Sequence, residues 1–417
     1  MAQLSARRIA LNALRVWRKE KCFADSIVSQ LLARADLTES DRAFAFELFY
    51  GVLRNLTLLD FWIGCLRRSH IDSDLRDVLR LGLYQLFLLK TAQHAAVHET
   101  VELVLQRHRS IVNGILRAAI RRQGELLARA DVEPLFARTS HPRFLVERWE
   151  KHFGNQQAEE LCKWNNLPAT IYGRINKLRI DRQEFLRLYP ESRPLPGCSD
   201  FVEFTVKPTI AISRGHCYIQ DPSTAIACQL LNPNLGETIL DACAAPGWKT
   251  AYIAQLMKNR GIIVACDRDP ERLQIVEENI ARLGVEIVHA VDHDWSLGQT
   301  PAKITSLAPF DRILIDAPCS NTGVMRRRVD VRWRLQPGEF SRMQQRQLEM
   351  LRTIIPLLKP GGTFVYSTCS LEPEENERVV QEALTRMTVL RLDQKKSSLP
   401  FRDGFDGAFA AKFIRSP

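Results

Sequence analysis

From Ile9 to Ile120 apolar positions recur every third or fourth residue. Ile9, Leu11, Leu14, Val16 and Trp17 open the pattern, and Phe44 through Leu66 carry it without strict alternation. Leu75 through Leu88 and Val101 through Ile120 continue it. Such a period places apolar side chains on one stripe of a helix. Few turn residues interrupt it, and Asp36-Leu-Thr-Glu-Ser-Asp41 supplies N-cap candidates ahead of a long helix. Residues 1–140 therefore read as an all-α helix bundle whose Leu and aromatic stripes are core. Residues 141–215 are richer in proline. His141-Pro142 ahead of Phe144, Leu145 and Trp149 marks a helix begun at a boundary, and Ile171–Asn176 and Phe201–Val206 read as short strands. This stretch reads as a small α+β linker domain. From 216 to 417, apolar runs of strand length alternate with helical patterns. Strands are expected at 238–242, 262–266, 285–291, 312–316 and 363–366, with a late pair near 389–392 and 408–414. That alternation predicts a Rossmann-like α/β domain with a mostly parallel sheet and its ligand at the carboxyl ends of the strands.

A length of 417 residues accommodates this multidomain order, and 45% hydrophobic with 25% charged residues is a globular composition. No apolar stretch reaches about 18 residues, so no membrane span is expected. The opening Met1–Arg8 lacks the apolar core and cleavage site of a secretory signal, so a cytoplasmic chain is expected. Ten cysteines include no C-x-x-C pair, which counts against a zinc site, and no metal is expected. Charge changes the picture more. The formal net charge is +10, and residues 1–140 hold 21 Lys and Arg against 15 Asp and Glu. Arg107, His108, Arg109, Arg117, Arg121, Arg122 and Arg129 form one basic cluster. Arg7, Arg8, Arg15, Arg18, Lys19 and Lys21 form another. Basic residues at helical spacing can follow a phosphate backbone, so this third is expected to contact nucleic acid.

Thr238-Ile-Leu-Asp-Ala-Cys-Ala-Ala-Pro-Gly-Trp-Lys-Thr250 reads as an apolar strand ending in an acid, a turn of small residues and a helix start. Small side chains let a ligand approach the backbone, and a helix start offers free N–H groups. Lys249-Thr250 does not complete a nucleoside-triphosphate loop, because the glycine positions hold Cys243 and Trp248. Asp267 ends the next strand, where a ribose hydroxyl pair would be gripped, and Asp292 ends the third, within reach of an adenine amino group. Acids at successive strand ends point to an adenosine-bearing cofactor. Asp311–Gly323 ends its strand in Asp316 and then exposes Cys319, and Thr363–Ser370 ends in Cys369. Adjacent strand ends converge on one cleft, so two thiols and a carboxylate are expected to face the cofactor. Arg326-Arg-Arg328 and Arg332-Trp-Arg334 follow the Cys319 loop, and phosphate contact with aromatic stacking is expected of them.

The Pro318-Cys319 and Thr368-Cys369 pair, with the turn at 243–249, resembles the Nol/Nop/Sun family of S-adenosylmethionine-dependent RNA cytosine methyltransferases over about residues 140–417. Asp41–Asn55, Leu79–Leu89 and Val97–Val101 resemble the NusB-like RNA-binding bundle over roughly 4–130. With such a bundle in front, the resemblance is to the branch that methylates carbon 5 of cytosine in 16S ribosomal RNA. It implies three parts: a NusB-like RNA-binding domain over 1–140, an RNA-contacting α+β domain over 141–215 and the methyltransferase domain over 216–417. By that resemblance Cys243, Ala244, Ala245, Pro246, Gly247, Trp248, Lys249, Asp267, Asp292 and Asp316 bind S-adenosylmethionine. Cys369 is the nucleophile, Cys319 assists product release, and Asp316 stabilises charge on the base. A monomer acting on a single-stranded or looped target is expected, because a reacting base must leave its stack. The family turn usually reads Pro-Gly-Gly-Lys, whereas this chain has Trp248 at the second glycine, which puts cofactor affinity in question. Two rival readings stay open: a non-catalytic RNA-binding factor of ribosome assembly, and a transfer RNA cytosine-5 methyltransferase.

Overall fold

The computed structural model describes residues 5–20 and 22–417. Lys21 of the second basic cluster and Met1–Leu4 of the opening segment lie outside the described residues. The chain divides into two compact units, residues 1–167 with 325–335, and residues 168–324 with 336–417.

The first unit is all helix. Ser5, Thr38 and Asp72 cap the helices Ala6–Lys19, Glu39–Arg54 and Ser73–Leu83, each side-chain oxygen accepting a first-turn N–H. Thr38 is the cap supplied by the polar run at 36–41. Leu11, Leu48, Phe49, Val52, Leu79 and Leu116 are fully buried, and Trp62 joins them while its indole N–H donates to the Leu126 carbonyl at 3.1 Å. Gly51 is required by packing. A Cβ there would lie 2.0 Å from the ring of Tyr84. The helices Arg143–Phe153 and Asn155–Asn166 also belong to this unit. Their apolar faces, with Leu145, Val146, Trp149, Ala158 and Leu161 buried, carry the helical pattern past residue 140.

The segment 325–335 packs into the same unit, and here the sequence expectation is corrected. Arg332 is fully buried: its guanidinium donates to the Ser140 carbonyl at 3.2 Å, the Asn166 side chain at 2.7 Å and the Asn165 carbonyl at 3.0 Å. Arg326 is buried with its guanidinium 4.0 Å from the centre of the Trp164 ring. Trp333 donates to the Leu53 carbonyl at 2.9 Å, and Arg334 pairs with Asp330 at 3.1 Å. Protein groups, and not phosphates, thus take up both terminal nitrogens of Arg332, the indole N–H of Trp333 and the Arg334 charge. Burial pushes the Arg332 guanidinium down to about 9. Arg328, in contrast, is exposed. Arg332→Ala is expected to destabilise the protein by about 3 kcal/mol or more, since it strands carbonyl acceptors and opens a cavity. Arg328→Ala should leave stability unchanged, and denaturant melts of both variants check the contrast.

The second unit holds two sheets. Strands β1 (Ile171–Ile175), β2 (Arg193–Pro194), β3 (Phe201–Phe204) and β4 (Cys217–Ile219) form a small antiparallel sheet in the order β2-β3-β1-β4. Strands β5 (Thr238–Asp241), β6 (Ile262–Asp267), β7 (Val288–Asp292), β8 (Phe310–Asp316), β9 (Leu358–Thr368), β10 (Leu390–Ser398) and β11 (Ala408–Arg415) form the large one, ordered β10-β11-β9-β8-β5-β6-β7. The five strands β7, β6, β5, β8 and β9 are parallel, β11 pairs antiparallel with β9, and β10 pairs antiparallel with β11. Each central strand is apolar on both faces. Leu240, Val264, Ile313 and Phe364 pack with Leu348, Leu351 and Val379 of two helices, while Ile239, Ile263, Leu314 and Val365 pack with Tyr252, Ile253 and Val276 of two others. Helix-covered parallel strands need this two-sided pattern. The chain leaves β5 for β6 and β7, then returns to β8 on its other side. The β5/β8 boundary is thus the topological switch point, where such sheets bind ligands.

Three strands of the large sheet differ most from expectation, and β9 runs Leu358–Thr368 where 363–366 was expected. β7 starts at Val288, not Val285, because Gly284 with φ +71° ends the preceding helix and the Val285 N–H still bonds back to the Ile280 carbonyl. β10 runs to Ser398, beyond the expected 392, through exposed Gln394, Lys395 and Lys396. It is the sheet's edge strand, where charge discourages further pairing.

Candidate active site

The carboxyl ends of β5, β6, β7 and β8 carry Asp241, Asp267, Asp292 and Asp316, with Asp267 and Asp292 side by side in register. After β5 the chain turns through Cys243, Ala244, Ala245, Pro246 and Gly247 into the helix Trp248–Leu256. Gly247 holds φ +97° as the residue before that helix, a conformation that L side chains rarely adopt. The glycine that the backbone needs is therefore present, and Trp248 occupies an ordinary first helical position. Its ring lies 3.4 Å from the Lys249 ammonium, centroid to Nζ.

Lys249 is buried and pairs with Asp316, whose other oxygen accepts the Ser367 hydroxyl at 2.8 Å. Asp267 is buried too. One of its oxygens accepts the Ala245 N–H at 3.1 Å and the other the Asp269 N–H at 3.2 Å, with Arg272 at 3.6 Å. Backbone donors thus fix the carboxylate's orientation and leave lone pairs for hydroxyl donors. Asp292 is exposed beside it. Burial, with repulsion from Asp241, pushes the Cys243 thiol well above its usual range.

Asp241 was noted in the sequence only as the acid ending a strand. It is fully buried, accepts the Thr250 hydroxyl at 2.7 Å, and leaves its second oxygen without a hydrogen-bond partner among the described residues. Burial, with Asp316 adding repulsion, pushes its carboxyl up to about 7. An orphaned acidic oxygen within a row of acids suits a cationic, hydroxyl-rich ligand, and the small residues of the turn leave room for one. Because the folded-state value lies above the unfolded value of about 4, the unfolded chain gives up this proton first as pH rises. This group's contribution is full below pH 4 and is lost as pH rises through 7. Asp241→Asn is expected to gain stability over the ligand-free wild type at pH 8 but not at pH 4. Urea denaturation at the two values measures it, and parallel pH dependences would contradict the assignment.

The two thiols meet. Cys319 Sγ and Cys369 Sγ are 3.3 Å apart, one after β8 and the other after β9. Cys369 donates to the Asn321 side-chain carbonyl at 3.1 Å, and the Asn321 amide donates to the Cys319 carbonyl at 2.8 Å. Asn321 takes φ +59°, a region where asparagine is several-fold enriched. The Gly323 N–H bonds the Cys369 carbonyl at 2.9 Å, and a Cβ on Gly323 would lie 2.7 Å from that oxygen. The hydrogen bond with Cys369, followed by burial, holds the Cys319 thiol well above its ordinary range. Direct contacts thus join Cys319 with Cys369 and Asp316 with Lys249. Asn321 and Ser367, which bind these groups, were missed; their places two residues from a motif cysteine were the available signal.

The sequence model described as 16S rRNA methyltransferase RsmB/F matches residues 228–414, that of the NusB family 4–121, and that of an RsmF/B-like ferredoxin-like domain 141–192. The probable ribosomal RNA small subunit methyltransferase B of Bacillus subtilis (strain 168) is 36% identical over 397 residues, covering 91% of this chain and 88% of its own. The ribosomal RNA small subunit methyltransferase B of Cronobacter sakazakii is 34% identical over 401 residues, 91% of this chain and 92% of its own. Among solved structures, a methyltransferase homolog protein from Pyrococcus horikoshii superposes with a TM-score of 0.59 at 28% identity, covering 67% of this chain and 97% of that one. PH0851 shares the fold with a TM-score of 0.78 at 23% identity over 98% of both chains.

Proposed function

Because the chain belongs to the 16S rRNA methyltransferase RsmB/F family, we propose that it moves a methyl group from S-adenosylmethionine to carbon 5 of one cytosine in small-subunit ribosomal RNA. The observation that carries this reading is the 3.3 Å approach of Cys319 and Cys369 at the ends of neighbouring strands. Asp316 and Lys249 stand at the end of the same β8 strand and at the start of the cofactor-turn helix.

Carbon 5 of cytosine is a poor nucleophile. Addition of the Cys369 thiolate at carbon 6 forms an S–C bond and places the electron pair of the ring double bond on carbon 5. Asp316 shares a proton, supplied through its Lys249 partner, with the ring nitrogen and so neutralises the negative charge that builds there during addition. Cys319, acting as its thiolate, then accepts the proton from methylated carbon 5 and becomes the thiol. The ring double bond re-forms, and Cys369 leaves with the electrons of the S–C bond. Asp267 and Asp292 would hold the ribose and adenine of S-adenosylmethionine, and the 243–249 turn with Asp241 its amino-acid end; when bound, the cofactor supplies an electrophilic methyl on sulfur. The helical unit, with exposed Arg107, Arg117 and Arg121 on one face of the helix Gln106–Arg121, would hold the RNA backbone.

The placement of Trp248 within the helix weakens the non-catalytic reading, since that reading drew its support from strain at this position. The relatives' substrates favour ribosomal over transfer RNA. The test is incubation with unmodified small-subunit ribosomal RNA and S-adenosylmethionine, followed by bisulfite sequencing. One protected cytosine is expected. Protection in transfer RNA alone would move the substrate, and RNA binding without any methylation would favour the idle binder.

A further inference from the structure

The run Glu372-Pro-Glu-Glu-Asn-Glu377 has the composition of a solvated acidic turn before a helix. Within it, Glu375 is wholly buried, and its carboxylate is the meeting point of the two thiol loops. One oxygen accepts the Ser320 N–H at 2.8 Å and the Gln347 amide at 3.3 Å. The other accepts the Ser370 hydroxyl at 2.7 Å and the Ser320 hydroxyl. Ser320 directly follows Cys319, and Ser370 directly follows Cys369. The two hydroxyls are 3.1 Å apart. Gln347 also donates to the Pro318 carbonyl at 3.0 Å, and the Glu375 carbonyl accepts the buried Tyr366 hydroxyl at 2.7 Å. Three elements thus converge on one side chain: the loop after β8, the loop after β9 and the helix Glu339–Ile354.

We propose that Glu375 is a positioning residue that fixes the separation of Cys319 and Cys369 by clamping Ser320 and Ser370 from behind. The inference rests on the reading of these cysteines as the reacting thiols. A buried carboxylate is costly unless its lone pairs are filled. Here four neutral donors from the two cysteine loops and the supporting helix fill them. The symmetry of the clamp is informative. Each serine lies one residue beyond its thiol, so movement of either loop breaks a bond to the same group. The charge also acts on the site. Burial raises the Glu375 carboxyl while the serine bonds oppose that rise. Its negative charge joins Cys369 and burial among the causes that raise the Cys319 thiol and so make its thiolate a stronger proton acceptor, and the Tyr366 phenol lies in the same field.

The test compares wild type with Glu375→Gln, Ser320→Ala and Ser370→Ala in the full chain, using S-adenosylmethionine and small-subunit ribosomal RNA. Glutamine keeps the volume but removes the charge and turns an NH2 group toward the donors it must satisfy. Its kcat is expected to fall on the order of 100-fold, the loss typical of a misplaced reacting group, with KM for S-adenosylmethionine unchanged. A second readout separates positioning from plain structure. Iodoacetamide labelling of Cys319, measured by mass spectrometry in the Cys369→Ala background, should shift to lower pH with Glu375→Gln. Removing a nearby negative charge makes the thiolate easier to form. Ser370→Ala keeps the charge, so it should lower kcat and leave the labelling profile in place. A folded Glu375→Gln protein with wild-type kcat and an unmoved labelling profile would overturn the proposal. Should Glu375→Gln not fold, wild-type kcat in both serine variants would do the same. Failure of the wild type to methylate RNA would instead overturn the cytosine reading, and the labelling profile would still decide the clamp.

Discussion

Cys319→Ala is expected to leave the protein covalently joined to its RNA, while Cys369→Ala yields neither methylated product nor adduct. The expectation follows from the division of labour between two thiols 3.3 Å apart. In the proposed mechanism attack by Cys369 creates the S–C bond, and that bond breaks only after carbon 5 has lost its proton. Without Cys319 the first half of the reaction proceeds and the second stalls. A band resistant to denaturing detergent and sensitive to ribonuclease should therefore build up with Cys319→Ala. Loss of the nucleophile should lower methyl transfer by on the order of 10^4-fold or more, as with other covalent catalysts. The double variant should form no band. An adduct that survives Cys369→Ala, or one that forms through Cys319, would reverse the two roles.

Asp316→Asn is expected to lower the single-turnover rate of methyl transfer by on the order of 100- to 1000-fold, the usual loss when a preorganised charged partner is removed from a transition state. Asp316 holds two groups at once, the Lys249 ammonium and the Ser367 hydroxyl. Asparagine is close in size and keeps one acceptor, but it leaves Lys249 as a buried cation without its counter-charge. Some stability should be lost with the rate, so a thermal melt must show that the variant is folded. A folded Asp316→Asn protein with the wild-type rate at saturating S-adenosylmethionine and RNA would remove Asp316 from the chemistry.

Much of this site was legible in the chain because its residues stand at the ends of apolar runs. Strands β5, β6, β8 and β9 are buried on both faces, so their hydrophobic stretches are continuous, and the first polar residue after each run is also the first at the sheet's carboxyl edge. Asp241, Asp267 and Asp316 follow from that rule and Cys319 from the loop after β8, whereas on β9 the rule marks Ser367, and Cys369 stands out only by the Thr368-Cys369 motif two residues further on. What was not legible depends on distant partners. Arg332 looks like a phosphate ligand by composition, and only the folded chain brings the carbonyls of Ser140 and Asn165 to it. Glu375 is one acid among several in its run, and nothing local marks it as the one that turns inward. β10 is polar because it is an edge, so it lacks the alternation by which strands are recognised. Trp248 shows the converse case. A residue that looked like backbone strain is ordinary once the positive φ is seen to fall on Gly247.

The central claim is transfer to carbon 5 through a Cys369 adduct, and tritium at carbon 5 of cytosine tests it most directly. Small-subunit ribosomal RNA carrying that label is incubated with the protein and S-adenosylmethionine, and tritium released to water is counted beside methyl groups incorporated. The account predicts one tritium released per methyl gained, and neither with Cys369→Ala. Methyl incorporation without tritium release would place the methyl on another atom and contradict it.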